Sequence, residues 1–390
     1  MRVLHLIDAA SSQACPTTLA LVSDSVDRLG NIDQRVLLLG GSPLRGMARS
    51  VGLRYGECRG VPFGMAIHAW ATMPRLLREW GRFDVVHCWS IGAATLASLA
   101  MPRTPRLLTL TVQPPRQHVH WLRMLTGVGA ALAPMVVLPI SHTIRRELLA
   151  GGLAEVDVHV LRPGIDRGRI ATHARTVLRK RWGVEDQTSK VIALLSDPPQ
   201  AGDAIDAVWA IGLMNLSVGE DGLPVRLLVT PRQHRRIRAE QLSRATDRLN
   251  AIIVCSQLDR PWEVLPGCDA AFVLGASAGG LSLIWAMAAG VPIIGEARYA
   301  VSEIVEDRHS ALLTKPDAPV ALAHRLGQLF TDDHLAWQLR DTACHEAYSF
   351  FSRVRYCQSL RRVYEQIADG LPVEVPPLEV TGGIRFAGRA

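Results

Sequence analysis

The chain has 390 residues, 48% of them hydrophobic and 20% charged, with a net charge of +7. One hydrophobic core stops growing near ~250–300 residues, so two domains with large cores are expected. Seven scattered cysteines, an odd number with no C-x-x-C pair, argue for reduced cytosolic thiols and against a zinc site or a disulfide framework.

The N-terminus, MRVLHLIDAA, has an apolar run too short for a secretion signal and reads as a first strand, Arg2–Ile7. Thr17–Leu29 follows as a helix: Thr17 or Thr18 can cap it, Leu19, Val22, Val26 and Leu29 share a face, and Gly30 ends it. Strands are expected at 34–39, 84–87, 106–112, 135–141 and 158–161. Helices are expected at 73–80, 91–101 and 142–150, the last capped by Ser141 and closed by Gly151 and Gly152. The most apolar segment, 124–140, is broken by Gly127, Gly129, Pro134 and Pro139 and is too short to span a bilayer. A cytoplasmic protein, soluble or peripheral to a membrane, is therefore expected.

The pattern restarts at Lys190. Strands at 190–195, 225–230, 251–255, 270–274 and 292–295 alternate with helices at 204–213, 235–244, 281–289 and 319–329, where Pro319 suits a first helical position. Residues 343–367 read as one long helix, and the Pro/Gly-rich segment after 370 as a poorly ordered tail. Strands separated by helices of about ten residues imply parallel, doubly wound sheets. The fold class is thus α/β with two Rossmann-like domains, jointed in the polar, basic stretch 162–187. Ligands of such sheets sit at the carboxyl ends of the strands, so a cleft between the domains is the expected site.

Charge is uneven. Residues 1–170 hold 19 Arg, no Lys and 11 acidic residues, a net +8. This half suits an acidic partner such as anionic lipid, or it is a solvated Arg-rich surface; the residues leave both open. Nucleic acid is disfavoured, because no aromatic-basic ribbon accompanies the charge.

SAGGLSLIWAMAAGVPIIG, Ser277–Gly295, has a Gly-rich start, a helical run and a strand entry. Gly279 and Gly280 precede a helix whose first amides, at Leu281 and Ser282, lack internal partners, and such a terminus binds phosphate without a side chain. Ser277 and Ser282 add hydroxyls. Alternatively, the small residues only allow close helix–strand packing. Arg232, just past a strand end, can supply a cation to a phosphate, while the rest of the run Arg235–Arg244 reads as a solvated face. His87 ends a buried strand and either touches a ligand or is a satisfied core histidine. Gln13 and Gln113 lie in loops after strands. QPPRQHVHWLR is read as a loop whose two histidines make too weak a metal signal, so neither metal nor cofactor is expected. No P-loop, G-x-G-x-x-G or nucleophile elbow occurs, which disfavours kinase and dehydrogenase chemistry.

Taken in order, DVVHCW, ISHTIRRELLAGG with VHVLRPGID, and CDAAFVLGASAGGLSLIWAMAAGVPIIG with SEIVEDRHSALL resemble the landmarks of the family-four (group 1) retaining glycosyltransferases of the GT-B fold, over about residues 1–367. The resemblance implies an acceptor-side domain at 1–168, a nucleotide-sugar donor domain at 169–342, a crossover helix at 343–369 and a flexible tail at 370–390. It places Gln13, His87 and Gln113 on the acceptor side and Ser277, Gly279, Gly280, Leu281, Ser282 and Arg232 on the donor side. Glu303 matches a family position as a loop or cap residue, and Asp166 ties the hinge turn.

Charged residues expected by the family are missing. Two Glu separated by seven residues are replaced by Ser277 and Trp285. An Arg and Lys pair that holds the diphosphate is replaced by Ser196 and Ala201, and a His by Gln113. Donor cleavage builds negative charge on the leaving diphosphate, and losing one preorganised donor costs ~10²–10³ in rate. Two readings follow. One is a transferase moving a sugar from a nucleotide sugar to an unknown acceptor, at a membrane surface in one version. The other is an inactive relative kept as a binding or scaffold protein. Nucleotide-sugar epimerisation is a weaker third, since it needs cleft carboxylates.

Overall fold

The computed structural model describes residues 1–8, 15–39, 42–58, 79–129, 133–171, 175–184, 189–196, 201–218, 224–239, 251–275 and 280–376. The expected helix at 73–80 lies almost wholly outside these residues.

In the first unit, the apolar core of β1 (Arg2–Asp8) is buried on both faces, as a central parallel strand must be. It pairs in parallel with β2 (Asp33–Leu39) and, past β3 (Gly56–Cys58), with β4 (Val85–Cys88). β5 (Arg106–Leu110) and β6 (Met135–Pro139) complete a sheet in the order β3-β2-β1-β4-β5-β6. Its helices are α1 (Pro16–Arg28), α2 (Ser42–Ser50), α3 (Ile91–Ala100), α4 (Arg116–Gly129) and α5 (His142–Ala150). Ser141 caps α5 as expected, its hydroxyl accepting from the Ile144 amide at 3.1 Å. Ser90 does the same for α3.

The second unit begins with α6 (Arg175–Arg181), β7 (Lys190–Leu195) and α7 (Ala201–Val218), followed by β8 (Val225–Val229), α8 (Pro231–Ala239), β9 (Ile252–Val254) and α9 (Pro261–Val264). It ends with β10 (Ala270–Val273), α10 (Leu281–Ala288), β11 (Ile293–Glu296), α11 (Tyr299–Ser302), β12 (Leu312–Thr314), α12 (Pro319–Thr331) and α13 (Asp333–Phe350). The sheet order is β12-β11-β10-β7-β8-β9, again all parallel. In both sheets the winding reverses beside the first strand, between β1 and β4 and between β7 and β10.

The chain leaves the first unit at Gly164, runs Ile165–Phe351 as the second, and returns from Ser352 as α14 (Arg353–Ala368), which packs on α1 and β4. Gly164 is required there. A Cβ on it would stand 2.7 Å from the Arg353 Cα and 2.8 Å from the Ser352 carbonyl oxygen.

Several expectations are corrected. Thr17 and Thr18 do not cap α1: Cys15 is the N-cap and Pro16 the first helical residue, a position that needs no N–H. The expected strand at 158–161 reduces to a single bridge, Val137 to Val158, ahead of Pro163, which has no N–H to donate. QPPRQHVHWLR is not a loop, because α4 starts at Arg116. The helix read at 235–244 begins earlier, at Pro231. The long helix at 343–367 is two helices: the Phe351 carbonyl leaves the helical ladder and accepts the Ile165 amide at 2.9 Å. α2, β3, α6, α9, α11 and β12 have no counterpart among the expected elements. Among the described residues, no helix is long and apolar enough to cross a membrane.

Candidate functional site

At the switch point of the second sheet, β10 ends at Val273 and the chain turns through Gly275, whose φ of 100° suits only glycine. Ser277 and Gly279 lie outside the described residues. Gly280 is the N-cap of α10 and brings no side chain of its own to cap it. Leu281 and Ser282 are both buried. Trp285 is 2% exposed and packs on Trp262 of α9, ring centroids 5.0 Å apart. An indole thus fills the second of the two positions where the resemblance expects a Glu.

Beside this turn stands a carboxylate that the sequence reading passed over. Glu296, the last residue of β11, is 2% exposed. It accepts the Gly275 amide at 3.0 Å, the Asp317 amide at 3.1 Å and Arg298 Nε at 2.6 Å. Arg298 also reaches Asp317 at 3.3 Å. Oxygens of Asp206, Glu296 and Asp317 lie within 4.8 Å of one another. Burial pushes the Asp206 carboxyl up, and the charges of Glu296 and Asp317 push it further. Both Glu296 oxygens are already engaged, so the group works as a clamp on the Gly275 turn. Its sequence signal was an acid directly after an apolar strand, at the strand end where ligands sit.

Arg298 is therefore held by the carboxylates of Glu296 and Asp317. Arg232 is exposed in the first turn of α8, after β8, the strand beside β7. That turn is fixed by a capping box: the Thr230 hydroxyl accepts from the Gln233 amide at 3.1 Å, and Gln233 Oε1 accepts from the Thr230 amide at 2.8 Å. Gln233 Nε2 continues to Ser196 Oγ at 3.3 Å, just past the end of β7. Ser196 stands where the family would place a phosphate-binding Arg, and here its hydroxyl is bonded to Gln233 of α8.

In the first unit, His87 is fully buried. Its Nδ1 meets the Tyr364 hydroxyl at 2.6 Å and its Nε2 the Thr109 hydroxyl at 2.8 Å. Of the two roles left open, the structure has the satisfied core histidine. Gln113 is exposed after β5, and Gln13 lies outside the described residues. Gly280, Leu281 and Ser282 stand together at the start of α10, while His87 is buried and Gln113 exposed.

Residues 218–345 match the family described as glycosyl transferases group 1. Among solved structures, the chain is similar to HepE from Anabaena, determined with UDP and glucose: 14% identity, TM-score 0.78, covering 94% of this chain and 100% of that one. It is similar also to a glycosyltransferase from Rickettsia africae, with 16% identity, TM-score 0.73, and 94% and 98% of the two chains covered. Sucrose-phosphate synthase from Thermosynechococcus elongatus aligns at 12% identity and TM-score 0.73, over 95% and 100%. No curated protein sequence matches. The fold is GT-B, with two Rossmann-like parallel-sheet domains, and the family match is confined to the second of them.

Proposed function

We propose that this protein binds a nucleotide sugar on its second unit and transfers the sugar to an acceptor. The observation that carries this reading is the glycine-led N-terminus of α10, at the switch point of a GT-B sheet and inside the stretch that matches the family. Phosphate at such a terminus accepts several backbone N–H groups at once and meets the positive end of the helix dipole. UDP in the HepE structure makes a nucleoside diphosphate the natural first ligand to try. Ser277, Gly279, Gly280, Leu281 and Ser282 form the cradle in this reading, and Arg232 supplies the cation that Ser196 does not. On the acceptor side, Gln13 and Gln113 remain the candidates.

A second reading rests on Trp285. With an indole packed on Trp262 in place of a carboxylate, the protein is a catalytically inactive relative that binds a partner or a nucleotide without transfer.

The test is a thermal-shift panel of nucleoside diphosphates and nucleotide sugars, followed by assays for sugar transfer and donor hydrolysis. A ligand at a hundred times its Kd stabilises by about 2.7 kcal/mol. Gly280→Asp puts a good N-cap on α10 and a negative charge where the phosphate would sit. The helix should hold or gain up to ~1 kcal/mol while the nucleotide shift disappears. Arg232→Ala should lower turnover by about 10²-fold or more if it faces the leaving diphosphate. Nucleotide binding without turnover supports the inactive reading. No shift with any nucleotide removes both ligand-binding readings.

A further inference from the structure

We propose that the face formed by α3 and α4 in the first unit docks on an anionic lipid surface. This does not depend on the reading of the second unit. From Val85 to Arg146 the chain contains no Asp or Glu over 62 residues, yet it holds six arginines. That window covers α3 and α4 whole.

α4 buries Val119, Leu122 and Thr126 against the unit and turns the opposite side outward. At helical spacing the outward centre holds Gln117, Trp121 and Met124, with Arg116 and Arg123 along one border. Trp121 is 47% exposed and Met124 49%. Trp121 Nε1 donates to Thr95 Oγ1 on α3 at 2.9 Å, and Leu99, one helical turn on from Thr95, is 60% exposed. Arg103, on the turn after α3, is exposed beyond it.

Solvated basic surfaces do not usually present a Trp, a Met and a Leu together. A bilayer interface rewards that mixture: indole and thioether enter the headgroup boundary while long Arg side chains reach lipid phosphates. A soluble polyanion would use the arginines and ignore the apolar tips, which is why lipid is the better occupant. Either component alone binds weakly, and two signals together give stable attachment.

Sedimentation of the full chain with vesicles tests this. Vesicles of phosphatidylcholine mixed with phosphatidylglycerol should carry the protein down, those of phosphatidylcholine alone should not, and high salt should release it. Arg116→Glu and Arg123→Glu should each weaken binding about fivefold or more, since one cation near such a surface is worth about 1 kcal/mol. Trp121→Ser with Met124→Ser should weaken it as strongly. Arg362→Glu, the same charge change on exposed α14, should leave it intact, and melting curves of every variant check folding. Three results would overturn the proposal: no preference for anionic vesicles, equal losses with Arg362→Glu, or vesicle binding indifferent to the Trp121 and Met124 change, which marks a polyanion site instead.

Discussion

His5 and His87 sit side by side in the first unit, ring centroids 5.2 Å apart, and neither can accept a proton cheaply. Trp89 Nε1 donates to His5 Nδ1 at 3.1 Å, so the His5 proton is on Nε2, facing Gln34 Oε1 at 2.9 Å. Burial lowers the His5 pKa to about 4, against a smaller upward pull from the Gln34 bond. Burial also holds His87 well below the usual range, and a charge on His5 would depress it further. In the unfolded chain both rings titrate near 6.5. Below that pH the unfolded state binds protons that the native state refuses. The stabilisation is complete above about pH 6.5 and is lost as the pH falls towards about 4, His5 alone accounting for about 3 kcal/mol. Denaturant midpoints measured between about pH 7 and about pH 5 should therefore fall steeply. His5→Gln should flatten part of the slope, and a flat wild-type profile would contradict the assignment.

At the scale of elements, two short segments carry consequences that their own patterns only half disclose. Thr-Pro-Arg-Gln at 230–233 is a legible helix start, with Pro at the first position and Gln three residues after Thr. The arginine run that follows drew the expected helix four residues too late. Thr230→Ala should cost about 1 kcal/mol in a chemical melt and loosen the Gln233–Ser196 link. Gly164 is different. Its need for hydrogen in place of Cβ comes from Ser352 and Arg353, almost 190 residues away in sequence. The neighbours are backbone atoms that cannot rotate aside, so Gly164→Ala should destabilise by ~1–3 kcal/mol, read as a fall in melting temperature. An unchanged melting temperature would mean that the α14 entry is looser than the structure has it.

For the whole molecule, the first unit is discontinuous. Its sheet is complete by β6, but Leu360, Val363, Tyr364 and Ile367 of α14 are buried at 2% exposure or less. Fully burying such a side chain contributes about 1.5–3 kcal/mol, so four of them approach the ~5–15 kcal/mol that keeps a domain folded. A chain ending at Phe351 should show a low or absent first-unit transition in calorimetry, while the second unit melts as before. Retention of both transitions would refute the dependence.

Sequence alone determined the two parallel sheets and most of their strands, because a strand buried on both faces must be apolar over its length and helices between strands must be amphipathic. It also marked the Gly-rich turn before α10, since glycines ahead of an apolar helix leave a local signature. What it left open were partnerships between distant residues. His87 became a core residue because Tyr364 arrives 277 positions later. Arg298 pairs with Glu296 and with Asp317, nineteen positions on, a contact no local pattern announces. One apparent helix became two because the Phe351 carbonyl found the Ile165 amide. Periodicity records which face of a segment is buried, and only the tertiary structure supplies the atom that meets it.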